Sequence, residues 1–304
     1  MKTLFIVNPR SGRAVRVLPF VKTYAAENAA VVVLTERACH ATELAQNGLR
    51  DGYQLVVAVG GDGTMNEVAS SLIGTDGTLG LIPCGSGDGL GRHLGIHGSI
   101  RHALDVLTQG RHHLIDTGMA DGHPFFTAAG IGFEAEIARK FNLLQRRGLF
   151  RYLSTSARAF REWKPERYII TDYRGRTEVK AFTLTVANSD QYGNNAIIAP
   201  GARADDGMLD LCAIPPITFG NAVPLVTRLF LGSVNRQLGV TLRRATEFVV
   251  EREMAGPLHT DGELHEAGIT IRFSIRPASL RVLVPETGPN ARKTLSLDEK
   301  NTGA

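Results

Sequence analysis

The stretch VVAVGGDGTMNEVASSLIG, residues 56–74, decides the fold. Val56, Val57, Ala58 and Val59 form a short apolar run rich in β-branched side chains, which predicts a buried strand. Gly60, Gly61 and Gly63 follow, with Asp62 and Thr64 among them. Glycine permits turn conformations and close backbone approach, so a tight turn with positive φ is expected at these three positions. A helix is expected over 65–73, and the unpaired N–H groups of a helix start favour an anion. Strand, glycine turn and helix together make a place to hold phosphates, and the Asp62 carboxylate could orient Mg2+ or a reacting hydroxyl. Turns of this kind also join strands to helices in proteins that bind no nucleotide.

Outward from this stretch, the first third of the chain alternates. Strands are expected at 2–7, 30–35, 55–59 and 79–83, and helices at 15–28, 41–48 and 100–110. Such alternation implies a mostly parallel sheet with helices on both faces. Ligands of such sheets sit at the carboxyl ends of the strands, where the turns 8–12, 60–64 and 84–89 fall. After about residue 112 the pattern becomes short alternating runs separated by turns, with helical exceptions at 133–144, 152–163 and 221–231. The expected architecture is an α/β nucleotide-binding domain over 1–120 and a β-rich sandwich domain over 121–288. Its last strand could return to the first domain, and a polar tail occupies 289–304.

Composition narrows the class. The 304 residues are 43% apolar and 21% charged, ordinary for a globular protein of one large domain or two. No apolar run approaches the roughly 20 residues that span a bilayer. The start, MKTLFIVNPRSG, reads as a first strand and not as a signal peptide. Three widely spaced cysteines, Cys39, Cys84 and Cys212, suggest a reducing compartment with no disulfide framework. A cytoplasmic protein is expected. The net charge of +4 is too mild to argue for nucleic acid, and no nucleic-acid-binding signature supports one. It is compatible with docking on an anionic membrane surface, and equally with a plain solvated surface.

Four further segments carry candidate chemistry. NPRSGR, residues 8–13, follows the first strand and can present backbone N–H groups, the Ser11 hydroxyl and Arg10 or Arg13 to a phosphate. LGLIPCGSGDGLGRHLGI, residues 79–96, is a second strand ending in a Gly-rich turn, with Ser86 and Asp88 inside it. NNAIIAPGARADDGMLDL, residues 194–211, gathers Asp205, Asp206 and Asp210, which could hold a hard cation. The same letters also spell an ordinary Asp-Asp-Gly hairpin turn. HTDGEL, residues 259–264, places Asp261 and Glu263 two apart, on one side of an extended chain, where either could act as a general base. An Asp-Gly hairpin turn is again the plain alternative.

The order of these five segments resembles the diacylglycerol kinase catalytic family, which includes bacterial lipid kinases, sphingosine kinases and ceramide kinases. The resemblance runs from NPRSG to about LRVLVP. GGDGT alone is shared with NAD kinases and phosphofructokinases, whereas the DDGMLDL and HTDGE segments are more specific to the lipid kinase branch. The resemblance implies an NAD-kinase-like fold, ATP as donor and a lipid hydroxyl as acceptor, diacylglycerol or a sphingoid base. It places Asn8, Pro9 and Ser11 near the nucleotide phosphates, and Thr35 beside the nucleotide. Gly60, Gly61, Asp62, Gly63, Thr64, Asn66 and Glu67 would cradle phosphates with Asp62 as the central acid, and Gly85 and Ser86 would complete the pocket. Glu263 or Asp261 would deprotonate the lipid hydroxyl. Arg203, Asp206 and Met208 would hold a structural Mg2+, with Arg203 and Met208 offering only backbone carbonyls. Asp88 departs from the pattern, because members carry Asn in the second glycine loop. Asp cannot donate as Asn does, and it adds negative charge beside a polyanion.

A lipid acceptor calls for a membrane-facing surface. The segment RKFNLLQRRGLFRYL, residues 139–153, interleaves cationic and apolar side chains, as a membrane-contacting or simply amphipathic helix would. His40, His93, His97, His102, His112 and His113 have no metal-ligand spacing, and Trp163 reads as a packing anchor. The rival readings are an NAD kinase and a nucleotide- or lipid-binding regulator without turnover. A homodimer is left open.

Overall fold

In the computed structural model the described residues are 1–142, 160, 163–193 and 195–286. They fall into two units, one of residues 1–115 with 278 onward and one of residues 116–277. The first boundary lies a few residues before the expected 120/121, because the strand Arg111–Ala120 begins in one unit and ends in the other.

In the first unit, β1 (Thr3–Val7), β2 (Val31–Leu34), β3 (Leu55–Gly60) and β4 (Thr78–Pro83) alternate with α1 (Ala14–Glu27), α2 (His40–Arg50), α3 (Asp62–Leu72), α4 (Gly89–His93) and α5 (Ile100–Gln109). The strands pair in the order β2-β1-β3-β4, all parallel. All six residues of β3 are buried, as expected for a central strand covered on both faces. The chain leaves β1 toward β2 and returns to the other side at β3. The order therefore reverses between β1 and β3, the place where an open parallel sheet leaves a ligand crevice. Near the end of the described chain, Arg281 and Val282 add a parallel partner to Thr78 and Leu79.

The second unit is a β-sandwich. It contains β5 (Arg111–Ala120), β6 (His123–Phe125), β7 (Ala128–Gly132), α6 (Phe133–Asn142), β8 (Glu166–Asp172), β9 (Gly175–Ala181), β10 (Thr183–Ala187), β11 (Gln191–Gly193), β12 (Ala196–Ile197), β13 (Leu209–Ile214), α7 (Phe219–Phe230), β14 (Thr241–Ala245), β15 (Glu247–Arg252), β16 (Gly256–Thr260), β17 (Glu263–Ala267) and the first half of β18 (Thr270–Val284). One sheet runs β14-β13-β10-β7-β16-β17, antiparallel throughout. Facing it, β9, β8, β15 and β18 pair antiparallel. The inner faces meet in one core that includes Phe125, Ile131, Tyr168, Leu184, Leu211, Phe248, Leu258 and Phe273. Trp163 anchors through its indole N–H to the Phe182 carbonyl at 3.0 Å and packs edge-on to Phe133.

Two expectations change. The helix after the glycine turn starts at Asp62 and not at 65, so Asp62, Gly63 and Thr64 form its first turn. Gly60, Gly61 and Gly63 do not take positive φ; Gly61 is extended, at φ −94°. Close approach, described below, is what requires glycine at 60 and 61. The expected helix at 152–163, all but the first residues of the basic segment 139–153, and the polar tail lie outside the described residues.

Candidate functional site

The loops after β1, β3 and β4 interlock backbone to backbone. The Ser11 hydroxyl oxygen accepts the Gly61 N–H at 2.6 Å, and Asn8 Nδ2 donates to Thr64 Oγ1 at 3.0 Å. Asn8 Oδ1 accepts the Arg10 N–H at 3.0 Å, which holds the turn around Pro9. Arg13 N donates to the Cys84 carbonyl at 2.9 Å. A Cβ on Gly60 would lie 2.6 Å from Thr64, and one on Gly85 would lie 2.9 Å from Gly61 Cα. A Cβ on Gly12, at φ +45°, would overlap the Cys84 carbonyl oxygen. Gly63 differs: it is exposed and a Cβ there would meet nothing within 4 Å, whereas the neighbouring Thr64 is buried; the N–H groups of a helix's first turn have no partner within the helix. Gly12→Ala is therefore expected to cost about 2 kcal/mol or more of stability from strain and overlap together, measured by denaturant unfolding.

The acids of this region serve mainly as caps. Asp62 Oδ2 and Oδ1 accept the backbone N–H groups of Asp88 at 3.0 Å and Gly89 at 2.9 Å, which ties the third loop to α3 and caps α4. Glu67 Oε2 accepts Ala41 N at 2.9 Å and Thr42 N at 3.4 Å, which caps the start of α2. Asp88 is buried in the left-handed region, at φ 48°, and its Oδ1 accepts the Gly85 N–H at 3.0 Å. Burial, and then the nearby Asp62 carboxylate, push the Asp88 carboxyl up to about 6. Thr35 is buried, with its N–H on the Val7 carbonyl, and Ser86 is exposed in the third loop. Asn66 is buried, and its Oδ1 has no partner among the described residues.

In the sandwich unit, β16 and β17 are joined by a two-residue turn, Asp261 at φ 50° and Gly262 at φ 87°, the mirror-image hairpin that Asp-Gly favours. Asp261 is committed to structure. Its carboxylate accepts the N–H groups of Phe126 at 2.7 Å, Thr127 at 2.9 Å and Ala128 at 3.0 Å, and the Thr127 hydroxyl as well. Burial pushes the Asp261 carboxyl up despite these four donors, but with both oxygens occupied by them it has a structural task to keep, which argues against Asp261 as the base. Glu263 is exposed, as the first residue of β17 opposite Thr260.

A second polar group supports this hairpin, and its residues were missed in the sequence. Thr185, Gly130 and His259 form one row across β10, β7 and β16. A side chain on Gly130 would collide with the Glu134 carboxylate, which occupies the space above it. Glu134 accepts the Thr185 hydroxyl at 3.0 Å and lies 3.4 Å from His259 Nε2. His259 Nδ1 accepts the Gly262 N–H at 3.4 Å, inside the turn. On the other face, Thr260 Oγ1 meets His265 Nε2 at 2.8 Å, and the His265 ring stacks on His123 at 3.8 Å. Burial and the neighbouring histidines push His265 down to about 4. The HTDGE letters alone could have flagged His259; only the sheet register brings Glu134 to it.

The expected metal loop is already neutralised by arginine. Asp206 Oδ1 accepts the Met208 N–H at 3.1 Å, and Oδ2 pairs with Arg244 Nη2. Arg244 Nε lies 3.8 Å from Asp210, and Arg203 pairs with Asp205 at 3.0 Å. Among the described residues no group of three His, Cys, Asp or Glu could hold a metal ion. A Mg2+ held by the Asp206 carboxylate with the Arg203 and Met208 backbone carbonyls would have to displace Arg244 from Asp206. Excess EDTA is expected to leave the unfolding midpoint unchanged, as read by differential scanning fluorimetry.

Comparison with known proteins decides the family. Residues 2–120 match the diacylglycerol kinase catalytic domain, and residues 127–284 match the YegS C-terminal NAD kinase beta sandwich-like domain. A relative described as "Probable lipid kinase YegS-like" from Pseudomonas aeruginosa PAO1 is 31% identical, over 83% of this chain and 84% of its own. The chain belongs to the YegS-like lipid kinase family. A second relative of the same description, from Pseudomonas fluorescens Pf-5, is 29% identical over 85% of this chain and 86% of its own. The fold of this YegS-like chain is similar to that of a diacylglycerol kinase from Bacillus anthracis str. Sterne. The TM-score is 0.70 at 19% identity, covering 94% of this chain and 97% of that one. It is also similar to an NAD kinase from Archaeoglobus fulgidus in complex with ATP, with a TM-score of 0.56 at 14% identity, covering 99% and 100%.

Proposed function

We propose that this chain transfers the γ-phosphate of ATP, bound as its Mg2+ complex, to the hydroxyl of a diacylglycerol or a sphingoid base. The observation that carries the nucleotide half is the set of three interlocked glycine loops that meet at the start of α3 beside the exposed Gly63. Backbone N–H groups at a helix start neutralise phosphate charge, and phosphoryl transfer needs positioning and neutralisation more than covalent help. The Mg2+ that accompanies the nucleotide supplies further neutralisation of the triphosphate.

Glu263 is the carboxylate assigned to take the proton of the acceptor hydroxyl. The freed oxygen attacks the γ-phosphorus in line, the bond to ADP breaks, and the proton remains on Glu263 until solvent removes it. Asp261 acts through position: it fixes the turn that presents Glu263. His259 and Glu134 act in the same way from the next row of the sheet. Asp62 orders the nucleotide loops as the cap of α4, a positioning role more than direct chemistry.

Transfer from labelled ATP to a panel of diacylglycerol, monoacylglycerol, sphingosine, ceramide and NAD in mixed micelles tests the reading. A labelled lipid is the expected product. Labelled NAD would move the chain to the NAD kinase branch, and ATP binding without any product would make it a regulator. The proposed working place is the inner membrane face. The basic segment 139–153 is a candidate contact there, and Arg146→Glu with Arg147→Glu is expected to weaken liposome binding.

A further inference from the structure

Helix α7 presents two apolar faces, and the sandwich covers one of them. Leu225 is buried and Leu229 partly so, both packed with Val234, Ile214 and Ile217 against a local core. Val223, Val226 and Phe230, at spacings of three and four, point the other way, 72%, 52% and 56% exposed. Leu231 continues this stripe at 73%. A surface helix normally turns a polar face to water. A contiguous apolar stripe at this exposure marks a surface that meets something.

Charge narrows what that partner is. No Asp or Glu occurs between Asp210 and Glu247, a stretch whose charged residues are Arg228, Arg236, Arg243 and Arg244. Arg243 and Arg244 are taken by Asp172 and Asp206. Arg228, half-buried on the helix, and Arg236, exposed in the turn Val234–Arg236 that follows it, have no carboxylate partner among the described residues. An apolar helix face bordered by cations and free of acids complements an anionic lipid surface, where apolar groups enter the acyl boundary and cations meet headgroup phosphates. A second protein copy would have to bring its own acids to this rim. No helix among the described residues is long and apolar enough to cross a membrane, so the contact lies along the surface.

We infer that α7 is a membrane-docking element that seats the sandwich unit on an anionic bilayer through Val223, Val226, Phe230 and Leu231, with Arg228 and Arg236 at its rim. The inference extends the lipid-acceptor reading, but its test needs no turnover. The full chain is sedimented with phosphatidylcholine vesicles, with and without phosphatidylglycerol, as wild type, as Val226→Glu with Phe230→Glu, and as Arg228→Glu with Arg236→Glu. Val226, Phe230 and Arg228 lie on the helix and Arg236 in the short turn Val234–Arg236 that follows it, none of them buried, and circular dichroism checks that each variant folds.

Wild type is expected to bind the phosphatidylglycerol vesicles, and each variant to lose about tenfold in binding, with added salt weakening the wild type. Unchanged binding in both variants would overturn the inference. So would a dimer in sedimentation velocity that the Val226→Glu, Phe230→Glu variant converts to monomer without loss of vesicle binding. Phosphorylation of a short-chain diacylglycerol in solution separates the two readings. Transfer retained by the docking variants confines the defect to the membrane step, whereas no transfer in the wild type rejects the kinase reading and leaves the vesicle result standing.

Discussion

Glu263→Gln is expected to lower kcat by ~10²–10⁴-fold, the usual contribution of a positioned general base. KM for ATP should stay near that of the wild type, because the nucleotide loops belong to the other unit. Stability should change little, since Glu263 is exposed at the start of β17. Steady-state kinetics on the labelled-lipid product, with an unfolding curve for the same sample, separates the two effects. Turnover near wild type would remove Glu263 from the chemistry. The contrasting variant is Asp261→Ala, which strips an acceptor from three backbone N–H groups and a hydroxyl. It should unfold at lower denaturant, because buried donors left without partners cost about 1–3 kcal/mol each.

Asp88→Asn is expected to stabilise the protein at neutral pH. In the folded chain burial and the Asp62 carboxylate hold the Asp88 carboxyl at about 6, above the ordinary 3.8 of an aspartate. The folded state therefore keeps a proton that the unfolded chain has released, and stability falls as pH rises between those two values. Above about pH 6 the full cost is present, on the order of 1–3 kcal/mol after screening by solvent. Asn carries no charge, tolerates the left-handed backbone and still offers Oδ1 to the Gly85 N–H. Wild type and variant should thus unfold alike near pH 4 and diverge progressively to pH 7. Loss of a carboxylate beside the phosphate loops should also tighten ATP binding at neutral pH and flatten its pH dependence. A variant no more stable than wild type at pH 7 would place the charge elsewhere.

The alternation of apolar runs with glycine turns was sufficient to expect a parallel sheet and its three loops, because both signals are local: side-chain burial sets the strands, and missing Cβ atoms set the turns. The same locality explains the errors. Positive φ was expected at Gly60, Gly61 and Gly63 because that is the common use of glycine in a turn. The constraint at Gly61 instead comes from atoms distant in sequence, Ser11 Oγ and Gly85 Cα, and that at Gly60 from the Thr64 side chain one helical turn on. Helix α3 begins three residues before the expected 65 because Asp62, a residue that favours caps, stands within its first turn while its carboxylate caps a different helix.

The order of elements, the glycine loops and the list of acids available for chemistry are legible in the amino-acid order alone. The tertiary structure decided which of those acids remain available. Asp62, Glu67 and Asp261 are drawn into capping backbone N–H groups, and Asp206 is taken by Arg244. A carboxylate's role follows from the donors around it, and for Asp261 those donors lie more than 130 residues away in the chain. Sheet register and chain packing bring such partners together, and no spacing along the sequence records them.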